Sequence, residues 1–192
     1  VISDRECPAN EYARTNSLPT AQVDFMINEQ KNLLDVVNSL APNIIITTVH
    51  RILKKTILDE YHGRLINLHY SLLPAFGGSI GSRSVKAAMD YKACFSGVTV
   101  HFVDETLDGG QPLVQIAVPV SKNDDQAEFM DIIFRAGCIA LFIALSLLKN
   151  PSENISRYGR VLVIKDREVL INPSIDIPLE MNDEKFWQAL KQ

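Results

Sequence analysis

The chain has 192 residues, 46% of them hydrophobic and 22% charged, the balance of one soluble globular domain. A net charge of −4 with scattered Lys and Arg excludes binding along a nucleic-acid phosphate backbone, which requires clustered cations. The three cysteines, Cys7, Cys94 and Cys138, are far apart and form no Cys-x-x-Cys pair, which excludes a disulfide framework and a structural zinc site and suits a reducing cytoplasm.

The opening VISD has the character of the end of a buried strand, without an initiator Met or a charged leader, so a preceding segment is expected. Pro8 to Asn16 predicts a short helix and LPTAQV a brief strand. Over residues 29–40, Leu33, Leu34, Val36, Val37 and Leu40 fall at helical spacing, and Pro42 ends the helix. NIIITT, 43–48, is a β-branched run without alternation, as expected of a strand covered on both faces. RILKKTILDEYH, 51–62, predicts an amphipathic helix, and LINLH after it a strand.

Residues 82–91 predict another helix, and 96–104 and 111–120 two strands joined by the short ETLDGG, an antiparallel turn. One long helix over 125–149 follows, closed by Pro151. Its apolar run, 136–148, falls short of the about 20 residues of a bilayer span, so a core helix and no membrane partner are expected. GRVLVIKDREVLI predicts two short strands around a tight turn, and DEKFWQAL a small last helix. Strands alternating with helices imply an α/β fold: one open, twisted, mostly parallel sheet with helices on both faces and an antiparallel hairpin toward the C-terminal half.

The chemistry concentrates in INLHYSLLPAFGG, 66–78. Asn67 and His69 sit two residues apart on a strand and so share a face, at the carboxyl end where open α/β sheets place their sites. A polar pair satisfied by nearby backbone is the competing explanation. DETLDGGQ, 104–111, adds Asp108 before two glycines, which allow positive φ and close approach; alone it is a common acidic turn. Together an amide donor, an imidazole and a carboxylate can meet an oxyanion and move protons. No Gly-x-Ser-x-Gly elbow is present, so the implied chemistry is attack by the substrate's own nucleophile on a carbonyl, in acyl or formyl transfer. His101, in mid-strand, is expected to be a core or edge histidine.

INLHYSLLPAF, followed after about thirty residues by GVTVHFVDETLDGGQPLVQIAVPV, resembles the folate-dependent formyltransferases, most of all the branch of purine synthesis that formylates glycinamide ribonucleotide. The likeness runs from Val1 to about Leu148. It implies a Rossmann-like formyltransferase domain over 1–150, its first βα unit missing, with 151–192 a hairpin and short helix packed on it. The implied formyl donor is 10-formyltetrahydrofolate, used without a metal, and the implied acceptor a small, phosphorylated amine. In that likeness Asn67 holds the formyl oxygen, His69 stabilises the tetrahedral oxyanion, and Asp108 moves the proton through a water. Arg51, Ile52 and Leu53, in a segment where His50 replaces the family's Met, would line the pterin pocket with Val103, Asp104, Glu105 and Leu107. A surface charge at a helix start for Arg51, and ordinary core for Ile52 and Leu53, are equally open.

Acceptor features depart from the family more than folate features do. Tyr70 replaces the usual Pro, GGSIGSR replaces a His-containing loop, and the acceptor-binding Glu falls near Gly137. Transfer to another amine such as an amino sugar nucleotide, hydrolysis of the formyl-folate, and non-catalytic folate binding therefore remain open, and a homodimer is one assembly the sequence allows.

Overall fold

The computed structural model describes residues 1–49, 51–150 and 159–190; His50 and Pro151 lie outside the described residues. Two compact units emerge, one of Val1–Ile45 with Val49–Leu65, the other of Ile46–Thr48 with the chain from Ile66 onward.

In the first unit, β1 (Ile2–Ser3) pairs in parallel with β2 (Ala21–Gln22). Between them α1 (Pro8–Thr15) starts on a proline, whose missing N–H would be unpaired in a first turn anyway, and buries Asn10 and Ala13. A 3-10 turn, Asn28–Gln30, leads into α2 (Lys31–Leu40), which buries Leu33 and Val37. Its end is set before Pro42 by Ala41 in a left-handed conformation. The helix predicted over 51–62 contracts to α3 (Lys55–Glu60), which buries Ile57 and Leu58. The physical reason is a contact distant in sequence: the carbonyl of Ile52 and the amide of Lys54 bond to the Gln30 side chain instead of to helical partners.

The second unit is built on a six-stranded sheet. Its strands are β3 (Ile45–Thr47), β4 (Leu65–His69), β5 (Phe95–Phe102), β6 (Pro112–Pro119), β7 (Arg160–Ile164) and β8 (Arg167–Asn172), in the order β3-β4-β5-β6-β8-β7. The pairings β4–β5, β5–β6, β6–β8 and β7–β8 are all antiparallel. The expected α/β class holds, but the mostly parallel sheet does not. Parallel order was inferred from helices alternating with strands, yet α4 (Ser82–Asp90) connects two antiparallel neighbours.

β6 alternates as a half-covered strand should, burying Val114, Ile116 and Val118. β5 is buried on both faces from Ser96 to His101. Gly97 is obligatory there, because a Cβ would lie 2.0 Å from the Ile116 carbonyl oxygen. The 24-residue helix α5 (Gln126–Lys149) lies against β5 and β6 and buries Phe129, Ile133, Ala136, Ile139, Ala140 and Ile143. Its first turn is capped by Asp125, whose carboxylate accepts from the amides of Ala127 and Glu128. By length and composition α5 could cross a membrane, but half of its most apolar stretch is buried against the rest of the protein. The last helix, α6 (Glu184–Ala189), is tied to α5 by a bidentate Glu184–Arg135 pair, with the buried Trp187 ring against the guanidinium.

Candidate active site

β4 carries Asn67 and His69 on one face, as period-2 alternation requires. Antiparallel pairing with β5 sets Asn67 opposite His101 and His69 opposite Thr99. The β5–β6 register slips between Val100 and His101, an irregularity of the kind that re-aims side chains beside sites. The connecting loop then swings Asp108 back over the strand ends. A continuous cluster results: Asn67 Nδ2 lies 3.4 Å from His101 Nε2, His101 Nε2 3.9 Å from Asp108 Oδ1, and Asp108 Oδ2 3.4 Å from His69 Nδ1. The three residues singled out in the sequence therefore come together, and a fourth joins them.

That fourth residue is His101, which the sequence reads as a core or edge histidine. It is buried, but its Nδ1 lies 2.8 Å from the Phe102 carbonyl, which can only accept, so Nδ1 carries the hydrogen and Nε2 a lone pair. Burial lowers the His101 pKa; the Phe102 carbonyl and the carboxylates of Asp108 and Asp104 pull upward, while His69 adds to the lowering. A neutral His101 accepts one Asn67 N–H, which fixes the carboxamide and leaves its second N–H for another acceptor. Cross-strand register was the missing signal: reading one strand at a time does not reveal what stands opposite Asn67.

His69 is buried between two oxygens, with Asp108 at Nδ1 and the Phe76 carbonyl 3.3 Å from Nε2. A protonated ring would find an acceptor at each nitrogen. Asp108 also accepts from the Gly78 amide at 2.7 Å, tying its loop to the segment after Pro74. That segment rests on a buried polar platform. Thr99 Oγ1 donates to the Ser71 carbonyl and accepts from the Leu73 amide and from Gln115 Nε2.

The glycines after Asp108 act differently from expectation. Positive φ falls on Asp108 itself, at 52°, and not on Gly109 or Gly110. Gly110 is required for closeness, since a Cβ would lie 1.8 Å from the Phe102 carbonyl oxygen. Asp104 serves the same loop. It accepts from the amide and hydroxyl of Thr106, and those bonds hold its carboxyl below the usual range. Glu105 and Leu107 are exposed and Val103 half-buried. Arg51, Ile52 and Leu53 belong to the first unit and form an irregular stretch before α3, bent at Arg51, with Arg51 and Ile52 exposed. Arg51 is therefore not a helix-start charge.

The chain is similar to known proteins along most of its length. The chain is 35% identical over 136 residues to the chloroplastic phosphoribosylglycinamide formyltransferase of Vigna unguiculata, covering 67% of this chain and 44% of that protein. It is 36% identical over 129 residues to the phosphoribosylglycinamide formyltransferase of Mycobacterium tuberculosis, covering 64% and 59%. The chain thus spans about half the length of the curated relatives it matches. The crystal structure of phosphoribosylglycinamide formyltransferase from Streptococcus pneumoniae superposes with a TM-score of 0.70 at 25% identity, over 78% of this chain and 85% of that one. The family model described as formyl transferase matches residues 1–145, and the chain belongs to that family.

Proposed function

We propose that this chain transfers the formyl group of 10-formyltetrahydrofolate to the amine of a small phosphorylated acceptor, glycinamide ribonucleotide, in purine synthesis. The observation that carries the reading is the Asn67–His101–Asp108–His69 cluster, linked at 3.4–3.9 Å across two strands and one loop. The acceptor is suggested by the names of the relatives, phosphoribosylglycinamide formyltransferases.

The acceptor amine attacks the formyl carbon, and the carbonyl electron pair moves to oxygen. The free Asn67 N–H donates to that oxyanion, and the His69 ring reaches it once Nε2 turns from the Phe76 carbonyl, 3.3 Å away, to the new oxygen; such donors typically contribute a factor of about 10²–10³ each. Asp108, beside His69, takes the proton released by the attacking nitrogen and passes it to the leaving N10 of the folate. The C–N10 bond breaks, leaving tetrahydrofolate and the formylated amine. Donation by N–H groups polarises the carbonyl, so the reaction as proposed uses no metal. By the family resemblance alone, Arg51, Ile52 and Leu53 are assigned to the pterin end, and so, separately, are Val103, Asp104, Glu105 and Leu107. The free thiols of Cys7, Cys94 and Cys138 suit a reducing cytoplasm.

A second acceptor is favoured by Gly137. Gly137 supplies no carboxylate where the family places its acceptor-binding Glu, and a Cβ there would have to displace the side-chain ends of Leu68, 2.9 Å away, and Tyr70, 3.2 Å away. That supports a different amine, such as an amino sugar nucleotide. The test incubates the full chain with 10-formyltetrahydrofolate and, in turn, glycinamide ribonucleotide, an amino sugar nucleotide, or water alone. Formylated amine is read by mass and released formate by enzymatic assay. Asn67→Ala and His69→Ala are each expected to lower turnover about 100-fold or more while the thermal midpoint stays within a few degrees. Absence of both formylated amine and formate overturns the reading.

A further inference from the structure

We propose that Gln30 is a positioning residue of the formyl-donor site, acting as a clamp on the main chain of Ile52 and Lys54. The proposal rests on the reading above that Arg51–Leu53 serve the pterin end of the folate.

Gln30 is 3% exposed, an unusual place for a primary amide, and its polar atoms are all engaged. Nε2 donates to the carbonyls of Phe25, at 3.2 Å, and Ile52, at 3.0 Å, while Oε1 accepts from the Lys54 amide at 2.8 Å. A donor to the carbonyl of one residue and an acceptor for the amide two residues on is the pattern that one residue of a parallel strand presents to its neighbour. The side chain therefore stands in for a strand. It keeps Lys54 extended, at φ −74° and ψ 152°, and stops α3 from winding back through the segment.

The consequence is a stretch of main chain kept out of α3, whose Ile52 side chain is 78% exposed. Among the described residues, the amides of Ile52 and Leu53 make no main-chain hydrogen bond, which leaves donors for a ligand edge. Such an arrangement suits a flat heterocycle with hydrogen-bonding atoms along one side and an apolar face. The amide is aimed by backbone that ordinary residues avoid: Asn28, Glu29 and Gln30 run in succession at φ 52°, 49° and 64°. A run of left-handed residues delivering one buried side chain is the kind of strain that gathers at ligand clamps.

Two variants of the full chain test the clamp. Gln30→Gly accepts the left-handed backbone without a Cβ, and Gln30→Met keeps the volume and removes all three bonds. Both are expected to raise KM for 10-formyltetrahydrofolate at least tenfold, with KM for the acceptor amine within about twofold and kcat within about threefold. An unchanged donor KM, or an equal rise in both KM values, overturns the proposal, because a merely structural role predicts no split. Hydrogen exchange gives an arm independent of turnover: the Lys54 amide should be protected in the parent and released in both variants, and equal protection overturns the clamp. Should the parent transfer no formyl group, the functional reading fails, while exchange and titration with 10-formyl-5,8-dideazafolate still decide this one. Binding weakened tenfold by Gln30→Met supports the clamp; equal binding, or none by the parent, ends it.

Discussion

His101 acts by staying neutral. Its Nε2 lone pair orients Asn67 only while that nitrogen carries no hydrogen; protonation would put N–H against N–H and force the carboxamide to flip, turning its oxygen toward the site. Burial lowers its pKa, so the unfolded chain takes up this proton at a higher pH than the folded chain does. Its contribution to stability is therefore complete above the ordinary histidine value of about 6.5, and is lost as pH falls below that toward the folded pKa. His101→Gln removes the titration and leaves Asp108, His69 and Asp104 in place. The thermal midpoint of the parent is expected to fall more steeply than that of the variant between about pH 6.5 and 5. Turnover of His101→Gln near neutral pH should drop about tenfold through the misplaced amide. Parallel midpoint curves would mean that His101 is already charged in the folded protein.

At the scale of elements, the loop between β5 and β6 decides where Asp108 stands. Gly110→Ala places a methyl 1.8 Å from the Phe102 carbonyl oxygen, fixed backbone at the end of β5. Gly109→Ala meets the Thr106 hydroxyl at 2.3 Å and its Cβ at 2.8 Å; the hydroxyl can rotate away at the expense of its bond to Asp104, and the Cβ needs only a shift of an exposed turn. The first substitution should therefore destabilise by about 1–3 kcal/mol more than the second in urea unfolding, and it alone should displace Asp108 from His69. Equal losses would place the constraint elsewhere. Local pattern was enough to locate these elements in the sequence. LINLH coincides with β4, and the pairing of 96–104 with 111–120 follows from a short turn. What escaped was long-range: the Gln30 bonds that shorten α3, the antiparallel order across α4, and the residue facing Asn67 all depend on partners more than twenty positions away. The trio itself was legible in two parts, Asn67 and His69 because buried polar groups on a strand are costly enough to signal a purpose, and Asp108 because it precedes two glycines in a short loop. Its connection through His101 was not.

Across the whole second unit, the terminal helix is fastened to the core helix through one buried charge. Arg135 on α5 has a side chain only 3% exposed, held by Asp131 at 3.1 Å and by Glu184 on α6, which is itself half-exposed. The ring of Trp187, the chain's one tryptophan, stands 5.3 Å from the guanidinium, so its fluorescence reports this junction. The bond to Arg135 holds the Glu184 carboxyl below the usual glutamate range, and Arg167 does the same for Asp124. For carboxyls lowered in the folded state the sign is fixed. Their contribution is present above the unfolded values, about 4.3 for Glu and 3.9 for Asp, and is lost as pH falls through the folded ones. Trp187 emission should thus shift to the red as pH falls below about 4, when Glu184 releases Arg135 and α6 lifts from α5. Glu184→Gln keeps hydrogen-bonding atoms but cannot titrate, so its emission should already be partly red-shifted at neutral pH and should change less on acidification. A parent whose emission stays blue to pH 2 would show that Trp187 is held by packing alone, with the Arg135–Glu184 pair contributing nothing to the junction.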